Sequence, residues 1–470
     1  MKKTRHPTPG KPKGRRKKAA PTSTTTPAIN PRHHPDAAGI DVGAEEFVAA
    51  LPPGRCEQTV RTFATYTSGV EALRDWLLEH GIKTAALEST GNYWIMLYDK
   101  LTAAGIDVYL VNARHVKGVP GKRTDVCDSQ WLQQLHAAGL LRKSFRPALD
   151  VVPLRYLMRH RSEMVEHAVT QLHLMQKVLT EMNLKLHHVF SDIDGVSAQA
   201  IISAILAGER DAHALARLRD RRCKSPLQDI LEALRGDYRE EYLFVLRQAW
   251  ESWQHVQKAI VACDEQLTAL AAKVAGEVQT ALPAASSKQH HLTKNSPNTG
   301  VYQTAWRFYG VDLSNIPGVS AGVLSMLTSE VGTREQMLRA FPSAGAFASW
   351  LGLCPDNRVS GGKVLKAKTR KVPSRLARAL RMAAFSLQRN ESEMGQMLRR
   401  FKGKLGKAEG ITATAHKLAR VIYGIIKSQR SYDEKEAFKL SPQKLQRRRH
   451  RLEQEASALG FALTQLPAAA

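Results

Sequence analysis

The chain has 470 residues and a formal net charge of +26, from 69 Lys and Arg against 43 Asp and Glu. A surplus this large repels itself unless a polyanion neutralises it, so nucleic acid is the expected partner. No apolar run approaches the ~20 residues of a bilayer span, which excludes a helical membrane protein. Five scattered cysteines argue against structural zinc and for a reducing cytoplasm.

Residues 1–35 are rich in Lys, Arg, Pro, Thr and Ala around Arg15-Arg16-Lys17-Lys18. Such a segment cannot bury enough apolar surface to fold, so a disordered basic arm is expected. With no apolar stretch behind its charges it does not read as a secretory signal. Residues 36–150 alternate strand and helix patterns. Ile40–Leu51 and Gln58–Thr65 read as the first two strands, joined through Pro52-Pro53-Gly54. Val70, Leu73, Trp76 and Leu77 mark one face of a helix that stops at Gly81. A strand over Thr84–Leu87, a helix from Tyr93 to about Ala104, a strand Val108–Val111 and a further helix complete the order. Strand, strand, helix, strand, helix, strand, helix is the arrangement of an α/β ribonuclease-H-like (RuvC-like) domain.

Four carboxylates stand at its punctuation points. Asp41 ends the apolar run Ala37–Ile40 just before Gly43, and Glu88 ends Thr84–Leu87 before Ser-Thr-Gly. Asp125 and Asp128 are one helical turn apart, ahead of Trp131, Leu132, Leu135 and Leu140. Singly, each such residue is more often a turn or capping group. Together, from two strand ends and one helix turn, they can hold hard oxygen-preferring cations such as Mg²⁺ beside a phosphate ester.

Residues 151–281 carry two helical seams. Val165, Ala168, Leu172, Met175, Leu179, Met182, Leu186 and Val189 alternate steps of three and four, as do Leu243, Leu246, Trp250 and Trp253, then Val256 to Val274. An antiparallel coiled-coil hairpin is expected, with Trp250 and Trp253 suited to an interface between subunits. Residues 282–309 read as a linker loop and 310–435 as a mainly α-helical block, with a basic helical tail over 436–470. Within that block, Ile316-Pro317-Gly318-Val319 ahead of a helical pattern is similar to a helix-hairpin-helix, which grips phosphate through backbone N–H groups. Farther on lies Arg358-Val-Ser360-Gly361-Gly362-Lys363, followed by Lys366, Lys368, Arg370 and Lys371. Glycines let a ligand approach the backbone, and the flanking cations can pair with phosphate oxygens. Ser360 needs activation to act as a nucleophile, and most serines before Gly-Gly are turn residues.

Taken together these segments resemble the DEDD-type insertion-sequence transposases that act as bridge-RNA-guided serine recombinases. The first part does so through Gly39-Ile-Asp41-Val-Gly43, Leu87-Glu88-Ser-Thr90-Gly91 and Lys122-Arg-Thr-Asp125-Val-Cys-Asp128. The second does so through Ile316-Pro-Gly318, Leu351-Gly-Leu-Cys-Pro355, Val359-Ser360-Gly361 and His416-Lys-Leu-Ala-Arg420. The resemblance implies a RuvC-like domain whose Asp41, Glu88, Asp125 and Asp128 bind Mg²⁺. It places a nucleophilic serine at Ser360, forming a covalent phosphoserine link to DNA within the C-terminal transposase domain. Pro317, Gly318, Arg358, Gly361, Lys363, Lys366, Lys368, Arg370 and Lys371 are the expected nucleic-acid contacts. The implied partners are double-stranded donor and target DNA, a non-coding bridge RNA and further copies of the chain, as a dimer or tetramer with a composite site across subunits. Bacterial, nucleoid-associated cytoplasm is the implied location. The alternative is a metal-dependent nuclease or junction resolvase with no covalent step, in which Ser360 only positions a phosphate.

Overall fold

The computed structural model describes residues 33–89, 91–112, 125–276, 292–361, 363–370, 372–439 and 442–464. At 125–127, 358, 359, 364, 366, 367, 442–444 and 448 it describes the backbone alone. Residues 1–32 of the basic arm and 282–291 of the expected linker loop lie outside these residues. The end of that expected loop is not a loop: Val301–Tyr309 is helical, its apolar Val301, Ala305, Phe308 and Tyr309 buried along one face. Two compact units divide the chain, residues 1–146 and 147–470.

The first unit is built on a mixed sheet of five strands among the described residues: β1 (Ala37–Val42), β2 (Glu46–Ala50), β3 (Val60–Ala64), β4 (Thr84–Glu88) and β5 (Asp107–Val111). Their spatial order is β3-β2-β1-β4-β5. The first three pair antiparallel, whereas β4 and β5 run parallel to β1. Helices α1 (Thr67–Glu79), α2 (Trp94–Ala103) and α3 (Asp125–Ala137) complete it. The expected single strand Ile40–Leu51 is in fact two. Gly43 donates its N–H to the Glu46 carbonyl and turns the chain between two apolar runs that the sequence leaves nearly continuous.

Both faces of the sheet are covered. Ala38, Ile40, Ala85, Leu87, Val108 and Leu110 pack with Leu73, Leu77, Leu97 and Leu101 of α1 and α2. Ala86 and Val111 face the other way and pack with Leu132 of α3. This alternation is the pleat of buried parallel strands, which is why β1, β4 and β5 read as apolar runs rather than as alternating patterns.

The second unit is mainly helical. Helix α4 (Val152–Glu181) is followed by α5 (Leu186–Val189), α6 (Val196–Leu206), α7 (Ala212–Arg217) and α8 (Leu227–Ala233), and then by the long α9 (Glu240–Ala275). Helices α4 and α9 pack antiparallel. Arg161 near the start of α4 is bonded to Asp264 late in α9, and Met175 and Leu179 share a core with Leu246 and Ala249. The first seam does not stay in one helix. Asn183 adopts a left-handed φ of 59° and ends α4, so Met182, Leu186 and Val189 pack from the turn and from α5. Trp250 and Trp253 pack, partly buried, against the core that α4 and α9 share with the helices between them. The Trp250 indole N–H donates to Gln199 of α6.

Helices α10 (Val301–Tyr309), α11 (Ala321–Val331), α12 (Arg334–Ala340) and α13 (Ala344–Trp350) lead into a hairpin of β6 (Pro355–Ser360) and β7 (Lys363–Thr369). Helices α14 (Arg375–Ser386), α15 (Glu393–Leu405), α16 (Lys407–Ser428), α17 (Glu434–Phe438) and α18 (Pro442–Ala458) follow. The core here is aromatic: Phe347 of α13 stacks on Tyr423 of α16, whose hydroxyl donates to the Phe341 carbonyl. Among the described residues no helix is long and apolar enough to cross a membrane.

Candidate active site

Parallel register carries Asp41 and Glu88 to one place. Gly39 stands opposite Ala86 and Ile40 opposite Leu87, so Asp41 and Glu88 are the next pair at the carboxyl edge of the sheet. Glu88 in turn pairs with Val111. Side chains alternate along a strand, and Ala86 and Val111 face α3, so Asp41 and Glu88 leave the sheet on the α3 side.

Helix α3 is fastened to that face along its length. The Gln133 side-chain amide donates to the Ala37 carbonyl, and His136 Nε2 lies 2.8 Å from Thr84 Oγ1. Two residues farther toward the carboxyl edge, β1 carries a glycine, Gly39. A methyl on Gly39 would lie 2.2 Å from the Gln133 nitrogen and 2.4 Å from the Ser129 carbonyl oxygen. Glycine is therefore required for the helix to lie backbone-to-backbone on the strand.

These fastenings set the level of the acidic residues. From Thr84 to Glu88 the strand advances ~13 Å, and from His136 back to Asp128 the helix retreats ~12 Å. By these rises Asp128 comes to about the level of Glu88 along the sheet. Positions 125 and 128 continue the helical stripe of Ser129, Leu132, Gln133 and His136 that meets the sheet. The Asp125 side chain lies outside the described residues. Asp41, Glu88 and Asp128 are each half-buried. Among the described residues, no three His, Cys, Asp or Glu side chains are gathered closely enough to hold a metal ion. The donor set fits such an ion in kind: carboxylate oxygens are the ligands hard divalent cations prefer.

His136 anchors the far end of α3. It is fully buried and packs against the rings of Tyr109 at 4.5 Å and His34 at 5.1 Å. Thr84 Oγ1 already donates to the Asp107 carbonyl, so it accepts from His136 Nε2–H. That leaves Nδ1 as a buried acceptor without a partner. Burial, followed by the neighbouring His34, pushes the imidazole down to about 4. Sequence reasoning took Gly39 only as part of the motif around Asp41 and gave Thr84, Gln133 and His136 no role. A glycine inside the apolar run Ala37–Ile40 was the available signal, because glycine in a strand marks close backbone approach.

In the second unit Ser360 is exposed at the last position of β6. Its register partner is Lys363, the first residue of β7, across Gly361 with φ 53°. Arg358 and Lys366 are also register partners, though their side chains, like Gly362 and Lys371, lie outside the described residues. Lys368 is exposed opposite Asp356. Arg370 is a strut, donating to the carbonyl and hydroxyl of Ser349 in α13. Pro317 and Gly318 sit in the turn between α10 and α11. Gly318 has φ 85°, and a methyl there would lie 2.9 Å from the Ala383 carbonyl of α14, so packing accounts for this glycine.

The sequence matches two family models. Residues 38–184 match the IS110 DEDD transposase model and residues 312–399 match the transposase IS116/IS110/IS902 family. The chain belongs to the IS110-type DEDD transposases. Members of this family cut and rejoin DNA, so DNA is the substrate, and DEDD transposases typically use a divalent metal. The first match covers all of the sheet but Ala37, together with α3, and the second spans the β6–β7 hairpin. No curated protein matches the chain.

Proposed function

We propose that this IS110-type transposase is a bridge-RNA-guided recombinase. Ser360 cuts the DNA strand by attacking its phosphate and so takes covalent hold of it, with Mg²⁺ held by the RuvC-like first unit assisting the displacement. The observation that carries the proposal is the β1–β4 register, which brings Asp41 and Glu88 to neighbouring strand ends on the sheet face that α3 contacts at Gly39. So basic a chain has little reason to bring carboxylates together near phosphates unless a cation lies between them.

Asp41, Glu88, Asp125 and Asp128 would hold the ion. When bound, Mg²⁺ polarises a phosphoryl oxygen and offsets the charge that develops on it. Ser360 forms its Oγ–P bond as the bond from phosphorus to the leaving sugar oxygen breaks. The serine proton passes to solvent, and the sugar oxygen takes one up. Rejoining reverses these changes with a new sugar hydroxyl as the attacking group. Pro317, Gly318 and the hairpin cations at 358, 363, 366, 368, 370 and 371 are assigned to nucleic-acid contact, with the Ile316–Val319 turn acting as a helix-hairpin-helix grip. Helices α4 and α9 serve as the coiled-coil arm, and the active assembly is a homodimer or tetramer. Sequence choice rests with an RNA that pairs with donor and target, while the protein holds the duplex by charge and shape.

Two experiments test this. Asp41→Asn is expected to abolish Mg²⁺-dependent cleavage of the element's end while DNA affinity stays within a few-fold of the parent; unchanged cleavage removes the acidic site. RNA sequenced from the purified protein is expected to be one defined species encoded beside the reading frame, and a random mixture removes the guide.

A further inference from the structure

The β6–β7 hairpin contains an irregularity that decides which residue faces the serine. From Pro355↔Thr369 to Arg358↔Lys366 the rungs descend in step, and then the register slips so that Val359 pairs with Val364 and Ser360 with Lys363. Leu365 is the extra residue, left out of the pairing and exposed. Without this bulge Ser360 would face Val364, and Lys363 would sit in the turn. With it, a lysine stands directly across from the serine on the same face of the ribbon, held there by a two-residue connection whose first glycine has φ 53°.

We propose that Lys363 is the residue that neutralises the scissile phosphate while Ser360 attacks it, as distinct from a general backbone contact. The inference rests on Ser360 being the nucleophile. Directly opposed residues of an antiparallel pair have Cβ atoms ~5 Å apart. The lysine side chain is long enough to pass the serine hydroxyl and reach a non-bridging oxygen of the phosphate that the hydroxyl approaches. A phosphodiester is an anion, and bond formation from Oγ places more charge on those oxygens, so a cation fixed at this point acts most in the transition state.

The other described cations of the hairpin are placed for different work. Lys368 stands opposite Asp356, ~13 Å along the strand from Ser360. Arg370 is tied through one guanidinium nitrogen to Ser349. Lys363 is exposed, and its substitution leaves the buried contacts of the unit untouched.

The test measures the rate of protein–DNA adduct formation with the full chain, its RNA and Mg²⁺. One DNA carries the natural scissile phosphate and a second carries a methylphosphonate there, which lacks the negative charge. Lys363→Gln is expected to slow adduct formation on the natural phosphate about 100-fold. On the methylphosphonate its rate should lie within about threefold of the parent. Lys363→Arg should keep most of the rate on both. An equal loss on both substrates, or no loss on the natural one, overturns the role of Lys363. Persistence of the adduct in Ser360→Ala would instead overturn the serine reading on which the inference rests, and the two failures are thereby told apart.

Discussion

Gly39 of β1 and Ser129 of α3 meet backbone to backbone: a methyl on the glycine would lie 2.4 Å from the serine carbonyl oxygen. Everything said of the acidic edge depends on this contact, because it fixes how far along the sheet α3 carries its first turn. Gly39→Ala should push the helix off the strand. Overpacking of this kind costs about 1–3 kcal/mol, and the displaced carboxylates should lose Mg²⁺-dependent cleavage well beyond that loss of stability. Urea unfolding and cleavage assays on the same variant check this. Full cleavage in a destabilised Gly39→Ala protein would show that the position of α3 is immaterial to the chemistry.

His136 gives the first unit an acid limit. Its imidazole is neutral in the fold and has to gain a proton at Nδ1, where no partner waits. A histidine is protonated below about 6.5 when unfolded, whereas here burial and His34 hold it down to about 4. Between these values the unfolded chain binds the extra proton and the folded one does not, so stability falls as pH falls from about 6.5 to about 4 and then levels off. The total is on the order of 3 kcal/mol. Denaturation midpoints across that range should show the slope in the parent and a shallower one in His136→Gln. Parallel slopes would remove His136 as the cause.

Arg161 of α4 and Asp264 of α9 are both buried and joined through two nitrogens and both carboxylate oxygens. The same guanidinium donates to the carbonyls of Asn295 and Ser296, and Asp264 accepts from the Asn298 N–H. Asp264→Ala strands a buried cation and should destabilise the second unit by about 3–5 kcal/mol. Replacing both partners by apolar residues, as in Arg161→Met with Asp264→Leu, should recover much of that loss. Unfolding of the single and double variants measures it, and equal losses in both would mean that the pair contributes no more than its packing.

Much of this architecture can be read from the residues, and what escapes does so for identifiable reasons. Asp41 and Glu88 are legible as strand ends because each closes an apolar run before a glycine or a polar cluster. Helices α4 and α9 are legible because their seams are long and periodic. The end of α4 is not, because apolar spacing continues through Met182, Leu186 and Val189 while the backbone reverses at Asn183. Nor is the division of Ile40–Leu51 into β1 and β2, since a three-residue turn at Gly43-Ala44-Glu45 interrupts the apolar pattern too briefly. The β6–β7 ribbon is hidden within what looks like a glycine turn and a run of lysines. Its strands bury little, so no alternation of apolar residues marks them. The pairing of Ser360 with Lys363 depends on the bulge at Leu365, a register choice for which the sequence carries no signal.

On this reading the hydroxyl at the end of β6 takes hold of DNA. The most direct test is to react the full chain and its RNA with end-labelled DNA in Mg²⁺, denature and digest the product, and sequence the labelled peptide by mass spectrometry. A nucleotide phosphate esterified to Ser360 is expected, with no adduct in Ser360→Ala. Cleavage that leaves every peptide unmodified, or a phosphate carried on another residue, would contradict it.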